Sequence, residues 1–326
     1  MPYAYEYLIW FLPFMAVDFM AMGTNGCIRS EGNPHLAMKI AVTGALINIV
    51  LDPVFLFVFH MGVKGVAIAT VIARIYTAGS VIWHFTLSKN HYLKLKRKNL
   101  MPMWEIVKPM LAIGASPFTM NLATTVITVF MNRSLLMYGN NVALGALGAI
   151  QSIFIMVETP LRGLMMAGQP IIGYNFGAKI YKRVKSTLKV SYLYSLIISL
   201  TGFAIVNIWS RSLVSLFSKG DQQLIEVGYS GLRIYMLMIP MVGLHMMSVM
   251  YFQATGKPKQ AIFLNLLRKV IIYMPVLIFL PKVYGLKGVW ATVPISDLFS
   301  AIVAIGFIYY ELKSTSKKHP DSLKSL

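Results

Sequence analysis

Apolar residues gather into nine long runs along the chain, and polar residues fall mostly between them. The runs cover roughly 7–28, 36–59, 63–87, 106–137, 142–168, 190–209, 229–251, 262–280 and 288–310. Each is long enough to cross about 30 Å of hydrocarbon as a helix. A transmembrane β-barrel would instead alternate apolar and polar positions, whereas stretches such as Val276 to Leu280 are apolar on both faces. In lipid every backbone polar group needs an internal partner, and a helix supplies one. The pattern therefore predicts an all-α membrane protein with nine transmembrane helices.

Two parts of the chain repeat. Arg29-Ser-Glu-Gly32-Asn-Pro34-His-Leu-Ala37 returns about 224 residues later as Gln253-Ala-Thr-Gly256-Lys-Pro258-Lys-Gln-Ala261, and Gly62-Val-Lys64-Gly65-Val66 returns as Gly285-Leu-Lys287-Gly288-Val289. Duplication inside a hydrophobic chain marks secondary transporters built from two structural halves. Runs one to three correspond to runs seven to nine, while runs four to six have no counterpart before them. Three leading helices are thus expected to be missing, making the chain a front-truncated member of its class. The first run also lacks a basic leader and a small-residue cleavage site, which argues against a signal peptide.

Composition agrees with the pattern. Of 326 residues, 57% are hydrophobic and 13% charged, with a mean hydropathy of +0.65; soluble domains carry about twice that charge. The net charge of +19 would suggest nucleic acid were it not distributed by loop. Lys89, Lys94, Lys96, Arg97, Lys98 and Lys108 flank the third and fourth runs, Lys179, Lys182, Arg183, Lys185 and Lys189 the fifth and sixth. Lys257 and Lys259 separate the seventh and eighth, and Lys313, Lys317, Lys318 and Lys324 occupy the tail. The intervening loops are nearly bare. Retention of positive charge inside places the C-terminus in the cytoplasm and residue 1 outside. Cys27 is the single cysteine, so no intrachain disulfide forms.

The chain resembles the multidrug and toxic compound extrusion (MATE) family of two-lobe, twelve-helix antiporters. The likeness rests on the loop Arg29 to Pro34, the helix Gly44-Ala-Leu-Ile-Asn48-Ile-Val-Leu-Asp52-Pro53, the turn Gly62 to Thr70, and Gly168-Gln169-Pro170-Ile-Ile-Gly173-Tyr-Asn175-Phe-Gly177-Ala178. It implies that the nine runs are family helices four to twelve. The domains then read as a partial leading lobe (1–88), a basic cytoplasmic linker (89–108), a trailing six-helix lobe (109–312) and a basic cytoplasmic tail (313–326). It also implies placement in the cell (inner) membrane and efflux of small organic cations or drugs coupled to protons or sodium, by rocking two lobes about a central cavity. No cofactor, nucleic-acid partner or enzymatic activity is implied, and a monomer is expected. Two other readings stay open: a flippase for lipid-linked sugars, served by Arg74, Arg133 and Arg162, and a non-transporting remnant.

Carboxylates inside membrane helices are costly and mark functional sites. Asp18, Asp52, Glu158 and Asp297 qualify. Asp52 follows Asn48 by four residues, so both share one helical face, and Pro53 cannot donate to the Ile49 carbonyl. These oxygens suit a hard cation such as sodium; without one, burial favours proton uptake. The resemblance adds Thr70 on the next helix as a third member of this cation site. Equally, Asn48 and Asp52 serve as hydrogen-bond partners between helices. Glu158 and Arg162, spaced i,i+4, form either a structural ion pair or a second protonatable site. The family's trailing-lobe acids have no match, since run four carries Asn121, Asn132 and Arg133, and run seven Arg233 and His245. Asp297 and Arg74 occupy corresponding repeat positions, facing one another or pairing locally.

The 22 methionines cluster at 15–22, 165–166 and 236–250, and thioethers repack around unlike ligands. Asp18, Met241, His245 and Tyr251 are accordingly candidates for the substrate cavity. His245 is also read as a bonded core residue. No Walker A motif occurs, Gly256-Lys257 being followed by Pro258, and no zinc-ligand spacing is present. The Gly173 to Gly177 spacing matches a helix-packing motif.

Overall fold

The computed structural model describes residues 2–87, 103–218 and 220–318. It divides into two compact units, meeting in sequence between Met103 and Trp104. Lys89, Lys94, Lys96, Arg97, Lys98 and Lys324 of the basic segments lie outside the described residues.

The leading unit contains α1 (Pro2–Phe11), a 3-10 turn (Leu12–Phe14), α2 (Met15–Ser30), α3 (Pro34–Pro53) and α4 (Gly62–Leu87). Pro13 sits in the turn that separates α1 from α2, yet 7–30 still makes one membrane-length span. After Pro53, whose ring nitrogen has no proton, the chain winds as a π-helical turn (Val54–Val58).

The trailing unit contains α5 (Trp104–Gly177), α6 (Tyr181–Ser218), α7 (Gln222–Tyr235), α8 (Ile239–Ala254), α9 (Pro258–Leu266), a π-helical turn (Leu267–Ile272) and α10 (Tyr273–Lys318). The backbone leaves helical geometry at Asn140 in α5 and at Gly285 in α10. Six described helices are long and apolar enough to cross a membrane, or seven when α7 and α8, bent by 48°, count as one. The breaks at Asn140 and Gly285 divide two of these at the junctions between apolar runs, giving nine crossings among the described residues. Residues 104–108, assigned to the linker by sequence, are instead the first turns of α5, where Glu105 complements the positive helix N-terminus. Likewise α10 continues to Lys318, past the start assigned to the tail.

The sequence repeat is a repeat of backbone geometry. Gly32 and Gly256 both adopt positive φ, 87° and 69°, just after a helix, closing it with backbone bonds to preceding carbonyls. Pro34 and Pro258 then open the next helix, where a missing N–H costs nothing. Gly62 and Gly285 repeat the device, with φ of 60° and 55°. Three residues on, Gly65 and Gly288 pass so close to the preceding segment that a Cβ would fall 2.9 Å from Phe55 Cβ or 2.5 Å from the Leu280 carbonyl oxygen.

Lipid is as apolar as leucine, so packing rather than water exclusion must join these helices. Gly44 lies against Thr77, Gly202 against Val157, and Gly231 against Trp290 and Ile150. In the trailing unit Trp290, Tyr251 and Phe252 are fully buried within a large core, whereas the leading unit has a smaller cluster of Ile28, Ala37, Ile40, Val81 and Phe85 beside buried small residues such as Ala67 and Ala69.

Candidate functional site

In the leading unit α3 and α4 bring together the three residues proposed for the cation site. The Asn48 Nδ2 amide donates to Asp52 Oδ1 at 3.1 Å and reaches Thr70 Oγ1 at 3.5 Å. The Thr70 hydroxyl spends its proton on the Val66 carbonyl at 3.0 Å, which leaves oxygen lone pairs facing Asn48. All three are half-buried. Asn48 orients the carboxylate, and the side-chain oxygens of Asn48, Asp52 and Thr70 are hard donors by chemical type.

Asn48 and Thr70 also line a cavity of about 290 Å³ whose wall includes Asp18, Asn25, Arg29 and Arg74. Asp52 communicates with it through Asn48. Gly44 borders it too, where a side chain would meet Thr77 Oγ1 at 2.5 Å. Arg74 pairs with Asp18 at 3.1 Å. Arg29 donates to Asn25 Oδ1 at 2.9 Å, and Asn25 in turn donates to the Ala37 carbonyl.

Within the trailing unit, Arg162 Nη2 donates to both Glu158 oxygens, at 3.2 and 3.1 Å. The glutamate is buried while the arginine reaches outward. Asp297 accepts from Arg268 Nε at 2.7 Å, both side chains being 95% buried. Arg74 and Asp297, expected either to face one another or to pair locally, are each paired inside their own unit.

His245 and Tyr251 are packed into the trailing core, and Met241 is half-buried. None of these three lines the cavities described for either unit. The reason is their helix, since α8 is enclosed by α5, α6, α9 and α10. His245 is a buried core residue, as expected from sequence; neither ring nitrogen makes a hydrogen bond of good geometry, though the Ser300 backbone and the Asn265 side chain lie in polar range of the ring.

Three polar features escaped the sequence reading. Arg268 and Lys269 interrupt the apolar run 262–280, a signal lost by weighing only carboxylates. Arg29 and Asn25 share one face of α2, but their cavity position depends on α3 and α4. Glu31 and His84 form a buried pair at 3.1 Å, 53 residues apart and therefore invisible to spacing.

A chain of membrane-length helices in two units, with a matched pair of helix–turn signatures and paired charges inside, is a transporter-type helical membrane protein by architecture. The MatE family model matches residues 117–279, half of the chain, and the chain belongs to the MATE family. Multidrug export protein MepA of Staphylococcus haemolyticus is 29% identical over 286 residues, 88% of this chain and 62% of the relative. MepA of Staphylococcus aureus strain NCTC 8325 is 27% identical over 281 residues, 86% and 61%. The chain thus spans about three fifths of these relatives' length. Among solved structures, an outward-facing multidrug resistance MATE transporter superposes with a TM-score of 0.90 at 22% identity, covering 96% of this chain and 70% of that one. A MATE transporter in a straight conformation gives 0.90 at 23%, with the same coverage. This likeness shows the fold.

Proposed function

We propose that the protein serves multidrug efflux, exporting organic cations in exchange for protons or sodium ions that enter down their own gradient, with Asn48, Asp52 and Thr70 as the ion site. The observation that carries this reading is the convergence of those three side chains beside the Asp18-containing cavity, which Asn48 and Thr70 line and Asp52 reaches through Asn48. The relatives named as multidrug export proteins support the same activity.

An ion bound at Asp52 removes its negative charge and competes with the Asn48 amide for the same oxygen. Because Asn48 is shared between the carboxylate and the cavity wall, occupancy of one alters the other. Such a device moves substrate only insofar as the ion has different affinity for two conformations of the protein. Asp18, held by Arg74, is the cavity's carboxylate for a cationic substrate to approach. The flippase reading gains least, because Arg74 and Arg162 are each neutralised by a carboxylate.

The test is ethidium retention in cells stripped of other exporters. Expression of the chain should lower retention, and Asp52→Asn should restore it at unchanged membrane abundance. Wild-type cells that retain as much ethidium as the empty host would refute the efflux reading. Full efflux by Asp52→Asn would remove this site from it.

A further inference from the structure

We propose that the trailing unit contains a binding site for a small monovalent anion, a halide or a simple carboxylate, anchored by the Lys269 ammonium. The proposal concerns a different unit from the ion site above and does not depend on efflux.

Charge accounting inside the unit leads there. Arg268 is engaged by Asp297 and Arg162 by Glu158. Glu158 and Asp297 both lie within electrostatic range of Lys269, but each already has its own arginine. Lys269 makes no ion pair or hydrogen bond among the described residues. An uncompensated ammonium in an apolar span is expensive, and such a charge persists where something pairs with it. Lys269 lies on the π-helical turn Leu267–Ile272, a local irregularity often found at functional sites.

The space beside Lys269 has the composition of an anion site. It is a cavity of about 70 Å³ that Gln151, Tyr235, Lys269 and Asp297 help to line. The Tyr235 hydroxyl and the Gln151 amide have no hydrogen-bond partner among the described residues, so their protons are available. Thr124 and Thr128 also border the cavity, but their hydroxyls donate to the Met120 and Thr124 carbonyls, both at 2.8 Å. They offer a ligand no proton. A cation entering here would meet both Arg268 and Lys269, and the Asp297 carboxylate that could receive it already holds Arg268. Size sets the ligand class: drug-sized pockets run to about 300–1,000 Å³, whereas this one admits a few atoms and a water.

The experiment is thermal unfolding of the purified full chain in detergent, titrated with potassium chloride, potassium acetate or potassium gluconate at constant ionic strength. Chloride or acetate should raise the midpoint saturably and gluconate, too large to enter, should not. Chloride alone would identify a halide site; both together would extend it to carboxylates. Lys269→Met should weaken the apparent dissociation constant at least about tenfold, as loss of one charge-assisted hydrogen bond implies. Indistinguishable curves in the three salts would overturn the proposal, as would an undiminished response in Lys269→Met. Should that variant not fold, undiminished responses in both Tyr235→Phe and Gln151→Leu would overturn it equally.

Discussion

Burial ranks the ion pairs at the residue scale. Arg268 and Asp297 are both 95% buried, whereas the Arg74 side chain of the leading pair is about half exposed. Removing one partner of a buried pair strands the other charge and costs about 3–5 kcal/mol, while an exposed pair contributes about 0–1 kcal/mol. Asp297→Ala should therefore lower the thermal unfolding midpoint far more than Asp18→Ala, and Asp297→Leu combined with Arg268→Met should recover most of the loss. Equal shifts for the two alanine variants would contradict this ranking. Much of the leading site was legible because its residues lie within two adjacent helices. Asn48 and Asp52 are one turn apart, and the family resemblance supplied Thr70. Arg268 was not legible in the same way, because its partner Asp297 lies 29 residues on, beyond a π-helical turn and the Gly285 break.

The two glycine pairs are the working parts of the repeat at the level of elements. Each Gly-x-x-Gly places a positive-φ turn before a helix and a second glycine where that helix lies against the preceding segment. At Gly288 the obstructing atoms are backbone, the Leu280 carbonyl and Pro281 Cα, which cannot rotate away. Gly288→Ala should cost about 1–3 kcal/mol, the scale of overpacking, seen as a lowered unfolding midpoint. Gly79 has open space around it, so Gly79→Ala in α4 should leave the midpoint unchanged or raise it. A larger loss at Gly79 than at Gly288 would contradict this account of the repeat. Run boundaries at Asn140 and Gly285 were readable from the punctuation of glycine and asparagine. The π-helical turns were not, since a hydrophobic period does not distinguish them from α-helix. The substrate role expected of His245 and Tyr251 also has no support from the cavities, because a methionine-rich stretch reads alike whether it lines a cavity or fills a core.

For the whole molecule, alternating basic loops and the family's fold argue for one orientation in the membrane. A reporter placed after Lys185, in the basic first turns of α6, should be cytoplasmic, and one after Asn140 external; the reverse pattern would invert the topology. Whatever its direction, the protein's proposed action requires that ion occupancy and substrate movement be linked. The most direct measurement is ethidium movement in liposomes holding the purified chain, with a sodium or proton gradient imposed across an otherwise symmetric membrane. Movement should follow at least one of the two gradients, reverse when that gradient is reversed, and lose this dependence in Asp52→Asn. Gradient-independent movement in the wild-type protein, or gradient-driven movement in Asp52→Asn equal to it, would contradict the assignment of Asn48, Asp52 and Thr70 as the coupling site.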